Sequence, residues 1–258
     1  MVNDSSTDNS LEVASSFQDE RIHIYTKENE GVSAARNYGI MHAKYDYIAF
    51  LDADDIWESD YLECQKKLIG TYPDAGIYST AFYSLEKGKR KLRNVLINEH
   101  IHFLVHDYFK ESVMNGLSIC WTSSLCLKKE VIKEIPMFRV GIKRGEDLDL
   151  WLRIALNYDV AYLNLPKVFY RTGLSDSLTS DYSKNGEFPY YEWFNFTSES
   201  SYYRKYVILV VYIHAKNAFI HHDYDTCLAE LWSVKTIAWR FKWAERLLLL
   251  VISWIKSK

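Results

Sequence analysis

A run of uncharged, mostly apolar residues that stops at a group of carboxylates is the feature that most restricts the fold of this chain. Residues 47–57 read Tyr-Ile-Ala-Phe-Leu-Asp-Ala-Asp-Asp-Ile-Trp. Positions 47–51 carry no charge, which favours a strand buried on both faces of a parallel sheet. In open α/β sheets, ligands collect at the carboxyl ends of such strands. The acids that follow the run are therefore predicted to line a binding site.

Asp52, Asp54 and Asp55 form this acidic group. Carboxylates held close together repel one another unless a cation lies among them. Their oxygen atoms suit a hard divalent ion, so we expect Mn²⁺ or Mg²⁺ at this position. Because such an ion keeps few protein ligands, it commonly binds a phosphate group as well.

Length, charge and cysteine content restrict the class of protein. With 258 residues, the chain can bury a sizeable core, and one domain with an appendage fits this length. A formal net charge of −3 gives no support for nucleic-acid binding. The four cysteines are widely spaced and form no C-x-x-C pair. Disulfides and zinc are therefore both weakly supported, and a reducing, cytoplasmic compartment is favoured.

The order of the predicted elements indicates an α/β domain. We predict strands over residues 21–25, 47–51, 75–79, 121–127, 160–163 and 168–170. We predict a helix after Thr7-Asp8 and further helices over 32–43, 60–68, 128–135 and 146–156. This alternation favours a mostly parallel sheet flanked by helices. The basic residues 85–100 are predicted to form a solvated loop or lid, with an anion-binding patch as the alternative.

The pattern becomes helical and aromatic from about residue 185. Segment 240–258 combines an apolar stretch with flanking cations and tryptophans, which fits an amphipathic helix on the inner face of a membrane. A helix that docks on the protein's own core fits equally well. No apolar stretch reaches the roughly 18–20 residues that cross a bilayer, so we expect a cytoplasmic protein, with peripheral membrane binding as the alternative.

Five short segments follow one another in a recognisable order. Residues 2–8 read Val-Asn-Asp-Ser-Ser-Thr-Asp, residues 31–37 read Gly-Val-Ser-Ala-Ala-Arg-Asn, and residues 52–54 read Asp-Ala-Asp. Residues 146–153 read Glu-Asp-Leu-Asp-Leu-Trp-Leu-Arg, and Tyr170-Arg171 follows. This set resembles the V-D-D-G-S-T-D, G-x-x-x-A-R-N, D-x-D, E-D-x-D-x-W-x-R and Y-R motifs of the inverting nucleotide-sugar glycosyltransferases of family 2. Each motif alone is modest, but five in this order are highly specific.

The resemblance implies a GT-A type, Rossmann-like fold. Residues 1–180 would form the nucleotide-sugar transferase domain, and residues 181–258 a helical, aromatic-rich extension. It further implies metal-dependent transfer of a sugar, with inversion, from a nucleotide-diphospho-sugar. The donor would be a UDP-sugar and the acceptor a glycan or lipid-linked hydroxyl. Surface polysaccharide synthesis is the usual setting of such relatives.

The resemblance also implies roles on the donor side of the site. Asp54 would bind the metal, and Asp52 would contact the donor ribose or sugar, or the ion through water. Donor contacts are further expected from Asp4, Arg36, Asn37 and Arg171. The alternatives are local: Arg36 as a surface helix residue, and Asp4 as the Asx-turn that caps the first helix.

Asp147 is the expected catalytic base, since inverting transfer needs one base to take the proton from the attacking hydroxyl. Glu146 is expected to orient it or to contact the acceptor. A carboxylate beside a second acid at a helix start has its proton affinity shifted by both neighbours. The alternative is that residues 146–147 only cap their helix, whose dipole favours acids.

One part of the family pattern is missing. Members begin with an apolar strand and helix, about 35–40 residues in a βαβ unit, and this chain starts after them. A misplaced start, a truncated remnant and a rearranged sheet edge are the three explanations. A non-catalytic module that binds a nucleotide or a partner is therefore the alternative function. Asn3 and Phe138-Arg139-Val140 also depart from the family's V-D-D and F-D-E patterns.

Overall fold

The computed structural model describes residues 1–96, 98–142, 144–173, 190–193 and 196–233. The strands are β1 (Val2–Asn3), β2 (Tyr25–Thr26), β3 (Tyr47–Ala49), β4 (Ile56–Trp57), β5 (Ile77–Glu86), β6 (Lys89–Arg93), β7 (His102–Val105), β8 (Leu125–Lys128) and β9 (Val160–Thr172). The helices are α1 (Ser10–Ser15), α2 (Val32–His42), α3 (Tyr61–Thr71), α4 (Tyr108–Asn115), α5 (Lys129–Glu134), α6 (Glu146–Ala155), α7 (Tyr190–Trp193), α8 (Tyr203–Ile220) and α9 (Tyr224–Ser233).

A central sheet flanked by helices confirms the predicted α/β class. Within the described residues the sheet has seven strands in the order β3-β8-β5-β9-β4, with β6 also on β5 and β7 also on β9. The long pairing of β5 with β9 is parallel, whereas the other pairs of this sheet are antiparallel. Strands β1 and β2 form a separate parallel pair. The strand directions thus differ from the mostly parallel arrangement expected, because β4, β6, β7 and β8 all run opposite to β5 and β9.

Strand β3 lies at one end of this strand order and pairs with β8. Only its central residue, Ile48, is buried, while Tyr47 and Ala49 are half-buried. The apolar run continues beyond the strand in Phe50, which is buried against Trp151 at a ring-centroid distance of 6.1 Å. The run is therefore shorter as a strand than the sequence suggests, and its second half anchors the turn that carries the acids.

Helix α6 is held by an apolar face that is fully withdrawn from solvent. Leu150, Trp151, Leu152 and Ile154 have no exposed surface. Trp151 faces the core. Removing a buried aromatic of this kind costs about 3–5 kcal/mol. The helix starts after Gly145, whose positive φ of 75° ends the preceding loop. This packing fixes the two acids of its first turn in place.

The basic segment predicted as a loop is a β-hairpin. Strands β5 and β6 pair from Phe82 opposite Arg93 to Glu86 opposite Lys89. The two residues between them, Lys87 and Gly88, both have positive φ values, 48° and 77°. Two-residue turns of this type match the twist of antiparallel strands. The loop prediction was therefore wrong for residues 85–93.

Two early elements also differ from prediction. Helix α1 starts at Ser10, and its N-cap is Asn9 rather than Thr7 or Asp8. The strand expected over residues 21–25 is limited to Tyr25–Thr26. Both differences are small displacements of elements whose existence the pattern indicated.

Helices α7 and α8 share the main core, whereas α9 packs on the end of α8 in a separate cluster. Tyr206 of α8 is buried, and its hydroxyl lies 2.9 Å from that of Tyr108 in α4. The division at residue 180 falls outside the described residues, as does segment 240–258, so both remain predictions. Among the described helices, none combines the length and apolar character required to cross a membrane.

Candidate active site

The turn after β3 positions the three aspartates. The backbone N of Asp55 donates to the carbonyl oxygen of Asp52 over 3.0 Å, which closes the turn. The backbone N of Asp52 donates to Oγ of Ser123 over 3.1 Å. Ser123 belongs to the buried 3₁₀ turn Thr122–Ser124 that leads into β8. The neighbouring strand thus fixes the position of the acidic turn.

Arg36 joins the acidic turn to the start of α6. Its Nη2 donates to Asp52 Oδ1 over 2.8 Å, and its Nη1 donates to Glu146 Oε1 over 2.8 Å. The Arg36 side chain is only 12% exposed, so it is not the surface helix residue of the alternative interpretation. Burial lowers the pKa of Arg36, but Asp52 and Glu146 outweigh this effect and raise it. The guanidinium is therefore a permanent positive charge between two acidic segments.

Asp147 is held at both carboxylate oxygens. Its Oδ2 accepts a hydrogen bond from Oγ1 of Thr122 over 3.0 Å, and its Oδ1 accepts one from the backbone N of Leu148 over 2.7 Å. Withdrawal from water raises the pKa of Asp147, although Arg36 and these two donors oppose the shift. The sequence analysis missed Thr122; a run of small hydroxyl residues directly before a buried strand is the signal that could have indicated it.

Glu146 is an acid whose pKa is raised toward neutral pH. Burial raises its pKa to about 7, Asp147 adds to the shift, and Arg36 opposes it. The guanidinium of Arg36 therefore interacts with three acids: it is bonded to Asp52 and Glu146, and it attracts Asp147 through space. An arrangement in which one cation faces several acids lets a proton reside on one of them near pH 7.

Arg171 closes the site from the end of β9. Its Nε donates to the backbone oxygen of Asp54, and its backbone N donates to Asp55 Oδ1 over 3.2 Å. Asp54 is half-buried. The donor contact expected of Arg171 stays a prediction, and the structure places this residue beside the acidic turn.

Asp55 is the most deeply buried acid of the turn, with 7% exposure. Its Oδ2 is buried without a hydrogen-bond partner among the described residues. Burial raises the pKa of Asp55 to about 7, against hydrogen bonds from Ser123 and the Arg171 amide. Its side chain ties the turn to β9, in addition to the expected role of finishing the turn.

The oxygen donors of this turn fit Mg²⁺ or Mn²⁺ better than zinc. Within the described residues, no group of three His, Cys, Asp or Glu side chains could hold a metal ion. Magnesium is commonly bound through one or two carboxylates, with water and substrate phosphates completing its shell. Asp54 and Asp52 supply carboxylates of this kind, and Asp52 is shared with Arg36.

Asp4 lies at the start of α2. It accepts hydrogen bonds from Lys27 Nζ over 2.8 Å and from the backbone N of Gly31 over 2.8 Å. Burial raises the pKa of Asp4, but the bonds from Lys27 and the amides outweigh this effect and lower it. These partners lie far along the chain, so Asp4 does not form the Asx-turn of the alternative interpretation; the local bond here is made by Asn3, whose Oδ1 accepts from the backbone N of Ser6.

Asn37 uses both ends of its amide on the backbone of Phe138. Its Nδ2 donates to the Phe138 oxygen over 2.7 Å, and its Oδ1 accepts from the Phe138 nitrogen over 3.0 Å. Asn37 therefore holds the 136–139 loop against α2, and the donor contact expected of it stays a prediction.

Asp149 is a buried acid that the sequence analysis left unassigned. Its side chain has no exposed surface. It accepts hydrogen bonds from Arg153 Nε and Trp193 Nε1, both over 2.9 Å, and Arg139 lies 3.4 Å away. Arg153 also donates to the Met137 oxygen over 3.0 Å. The carboxylate of Asp149 therefore connects helix α6 with the 136–139 loop and with helix α7.

A cavity of about 450 Å³ lies elsewhere, beside His106, Asp107 and residues 197–200. Of the acids near it, Asp107 accepts from Ser200 Oγ over 2.8 Å, and Asp159 accepts from His106 Nδ1 over 2.8 Å. The acidic cluster around Arg36 is the better candidate, since it gathers acids with raised pKa values from distant parts of the chain.

A helix-flanked sheet of this layout, with an acidic turn and an acidic helix start meeting beside it, is a GT-A fold. The chain matches the sequence model of "Glycosyl transferase family 2" over residues 1–135, and it belongs to that family. Residues 146 and 147 lie beyond the matched segment.

Relatives of known name carry the same designation. The chain is 30% identical over 165 residues to the "Putative teichuronic acid biosynthesis glycosyltransferase TuaG" of Bacillus subtilis, covering 63% of this chain and 62% of that protein. It is 30% identical over 181 residues to "Glycosyltransferase GlyA" of Streptococcus pneumoniae, covering 66% of this chain and 26% of that protein. The chain therefore spans less than two thirds of either relative.

Solved structures with the same fold include S. aureus TarS. The crystal structure of TarS 1–349 in complex with UDP-GlcNAc matches with a TM-score of 0.60 and 14% identity, over 98% of this chain and 69% of that one. A second TarS 1–349 structure gives a TM-score of 0.63 and 15% identity, over 90% of this chain and 70% of that one. At this level of identity the likeness establishes the fold.

Proposed function

We propose that the protein is an inverting glycosyltransferase that moves a sugar from a nucleotide-diphospho-sugar to the hydroxyl of a glycan or lipid-linked acceptor. Membership of family 2 and relatives named as glycosyltransferases support this activity. The observation that carries it is the Arg36 bridge, because it brings the acidic turn of residues 52–55 beside the acid pair of α6. Surface polysaccharide biosynthesis is the proposed setting, supported by the name of the TuaG relative.

Asp147 is the proposed catalytic base. In an inverting displacement, its carboxylate takes the proton from the acceptor hydroxyl as that oxygen attacks the sugar. The hydrogen bonds from Thr122 and Leu148 orient the carboxylate, and its raised pKa moves its basicity toward that of an effective base near neutral pH. Glu146 forms an ion pair with Arg36 and so holds the guanidinium in position.

The donor side is proposed to use the acidic turn and its cationic neighbour. Asp54, with Asp52 beside it, would hold Mn²⁺ or Mg²⁺, an ion that stabilises the negative charge of a leaving diphosphate. Arg36 and Arg171 place positive charge next to the same turn. Asp4 stays a proposed donor-side residue through its position at the start of α2.

A UDP-sugar is the proposed donor. The TarS structure that shares this fold was solved with UDP-GlcNAc, which supports a uridine nucleotide as the first donor to test. A screen of UDP-sugars with a mixed glycan acceptor pool, with and without Mn²⁺, addresses the donor identity directly.

The decisive experiment compares transfer rates of the wild type with Asp147→Asn and Asp54→Asn. Loss of a general base costs about 10²–10⁴-fold in rate, and we expect a loss in that range for Asp147→Asn. Asp46→Asn, an exposed residue at the start of β3, is the matched control. If both site variants keep wild-type rates, the assignment is wrong. Tight UDP binding without turnover of any donor would instead identify a non-catalytic binding module.

Peripheral membrane binding through segment 240–258 is a separate proposal. Its basis is the sequence alone, in which cations and tryptophans flank an apolar stretch. Deleting the segment should release the protein from anionic liposomes at moderate salt, and unchanged binding after the deletion would remove the membrane proposal.

A further inference from the structure

The β5–β6 hairpin presents a row of cations on one face. In the antiparallel register, Arg93 lies opposite Phe82, Lys91 opposite Ser84, and Lys89 opposite Glu86. Residues paired in this way share a face of the sheet. The Nε of Arg93 donates to Ser84 Oγ over 3.1 Å, consistent with this arrangement. All residues of β6 are exposed.

The same face continues into a group of aromatic rings. Ser84 lies opposite Tyr170 in the parallel pairing with β9. The ring of Trp121 lies 4.4 Å from that of Tyr170 and 5.5 Å from that of buried Phe82. Trp121 and Tyr170 are themselves half-buried. We call Trp121, Tyr170, Lys91 and Arg93 the hairpin face.

The hairpin face borders both halves of the proposed active site. Trp121 directly precedes Thr122, which donates to the proposed base Asp147. Tyr170 directly precedes Arg171, which contacts Asp54. Each residue of the aromatic pair is therefore a direct neighbour in sequence of a residue that contacts the acidic groups of the site.

The opposite face of the hairpin is built differently. Arg90 lies on that face, with its guanidinium 4.7 Å from the ring centroid of Phe169. Its charge is used in packing on the sheet, whereas Lys91 and Arg93 belong to the face of the aromatic pair. On the same side of the hairpin, Glu86 lies opposite Lys89, and the two charges cancel. Lys91 and Arg93 therefore leave the hairpin face with a net positive charge.

These features together point to the chemistry of an acceptor. Sugar rings pack their C–H surfaces on aromatic side chains, which have large, flat and polarisable faces. Lys91 lies two strand spacings, about 10 Å, from Tyr170, so its side chain reaches an acid carried by a stacked ring. Lys91 and Arg93 are two residues apart, about 6.5–7 Å along the strand, which allows successive acids to be bound.

We propose that the hairpin face binds an acidic glycan as the acceptor, with a sugar ring on Trp121 and Tyr170 and its carboxylates on Lys91 and Arg93. The inference rests on the proposed transfer reaction and names its acceptor class. It makes the basic hairpin a specificity element beside the donor site.

The test is calorimetric titration at 150 mM salt with an oligogalacturonate and with its methyl-esterified, neutral counterpart of the same length. The acidic oligomer should bind at least tenfold more tightly than the neutral one. The double variant Lys91→Ala, Arg93→Ala should lose at least tenfold in affinity. Arg90→Ala, which removes a charge from the opposite face of the same hairpin, should change affinity less than twofold.

Three outcomes would overturn the proposal: equal binding of the neutral oligomer, an equal loss in Arg90→Ala, or full competition by polyphosphate, which has no sugar ring. Circular dichroism of each variant checks that the sheet is intact. Titration of the wild type with UDP reports the donor side separately. UDP binding without oligogalacturonate binding refutes the acidic acceptor alone, whereas absent UDP binding counts against the proposed function.

Discussion

Acids lie at the starts of two helices in this protein, and their pKa values are shifted in opposite directions. At the start of α2, Asp4 is paired with Lys27 and accepts from two backbone amides, and its pKa is lowered. At the start of α6, Glu146 and Asp147 are withdrawn from water beside each other, and their pKa values are raised. Both positions favour a carboxylate through the helix dipole. The difference in pKa therefore comes from the surroundings of each acid. Lys27 and two amides stabilise the charged form of Asp4, whereas burial favours the protonated forms of Glu146 and Asp147.

The comparison predicts that Asp147→Asn separates activity from stability. We expect the transfer rate to fall by about 10²–10⁴-fold. The unfolding free energy at pH 8 should stay the same or rise, because an acid with a raised pKa no longer has to ionise in the folded state. Steady-state kinetics and urea unfolding of the same preparation measure both. A variant that is strongly destabilised and inactive would mean that residue 147 is structural, like Asp4.

Replacing Asp149 should cause the largest loss in the free energy of unfolding among these variants. Asp149→Asn leaves Arg153 buried without its anionic partner, which costs about 3–5 kcal/mol for a broken buried pair. The hydrogen bond from Trp193 can persist on the amide oxygen, so the loss reports the charge. Urea unfolding should show the loss, and near-ultraviolet circular dichroism should change around Trp193. Glu192→Gln, an exposed partner of Arg139, is the control and should lie near the wild type.

The raised pKa of Asp55 predicts a loss of stability as pH rises. The unfolded-state pKa is close to 3.8 and the folded-state pKa is about 7. The folded protein therefore holds the proton more tightly, and stability declines between pH 4 and 7 as the carboxyl ionises, by about 2–4 kcal/mol from this residue. Asp55→Asn should flatten that decline in unfolding curves taken at several pH values. An equally steep decline in the variant would contradict burial as the cause.

Asp4→Asn should show the opposite pH dependence with a smaller amplitude. Its folded-state pKa lies below the ordinary 3.8, so its contribution is present above pH 4 and is lost as pH falls through the folded-state value. We expect a destabilisation of about 1–2 kcal/mol at pH 7 that diminishes as pH falls below 4 toward the folded-state pKa of Asp4. A difference between variant and wild type that persists at low pH would show that Lys27 and the amides are not the stabilising partners.

Local sequence signals predicted the parts of the site that depend on neighbouring residues. The acids after the apolar run and at the start of α6 were visible because a strand end and a helix start have recognisable patterns. These residues are placed by their own elements.

Contacts between distant segments were not visible in the same way. Two examples are the hydrogen bond between Asn37 and Phe138 and the one between Asp149 and Trp193. Both depend on loops that pack across the molecule. The direction of β8 depends on the path of the chain through the preceding elements. The β5–β6 hairpin was missed because β6 is charged and exposed throughout, although Lys87-Gly88 offered a turn signal.

The guanidinium of Arg36 also bears on how the chain acquires its site. Its two acidic partners stand 16 and 110 positions away in sequence, and closing a longer loop carries a larger entropic cost. The ion pair with Glu146 can form only when the sheet and α6 are both in place. Nascent or partly unfolded chains should therefore lack the assembled pocket altogether, so that any ligand which binds there reports complete folding.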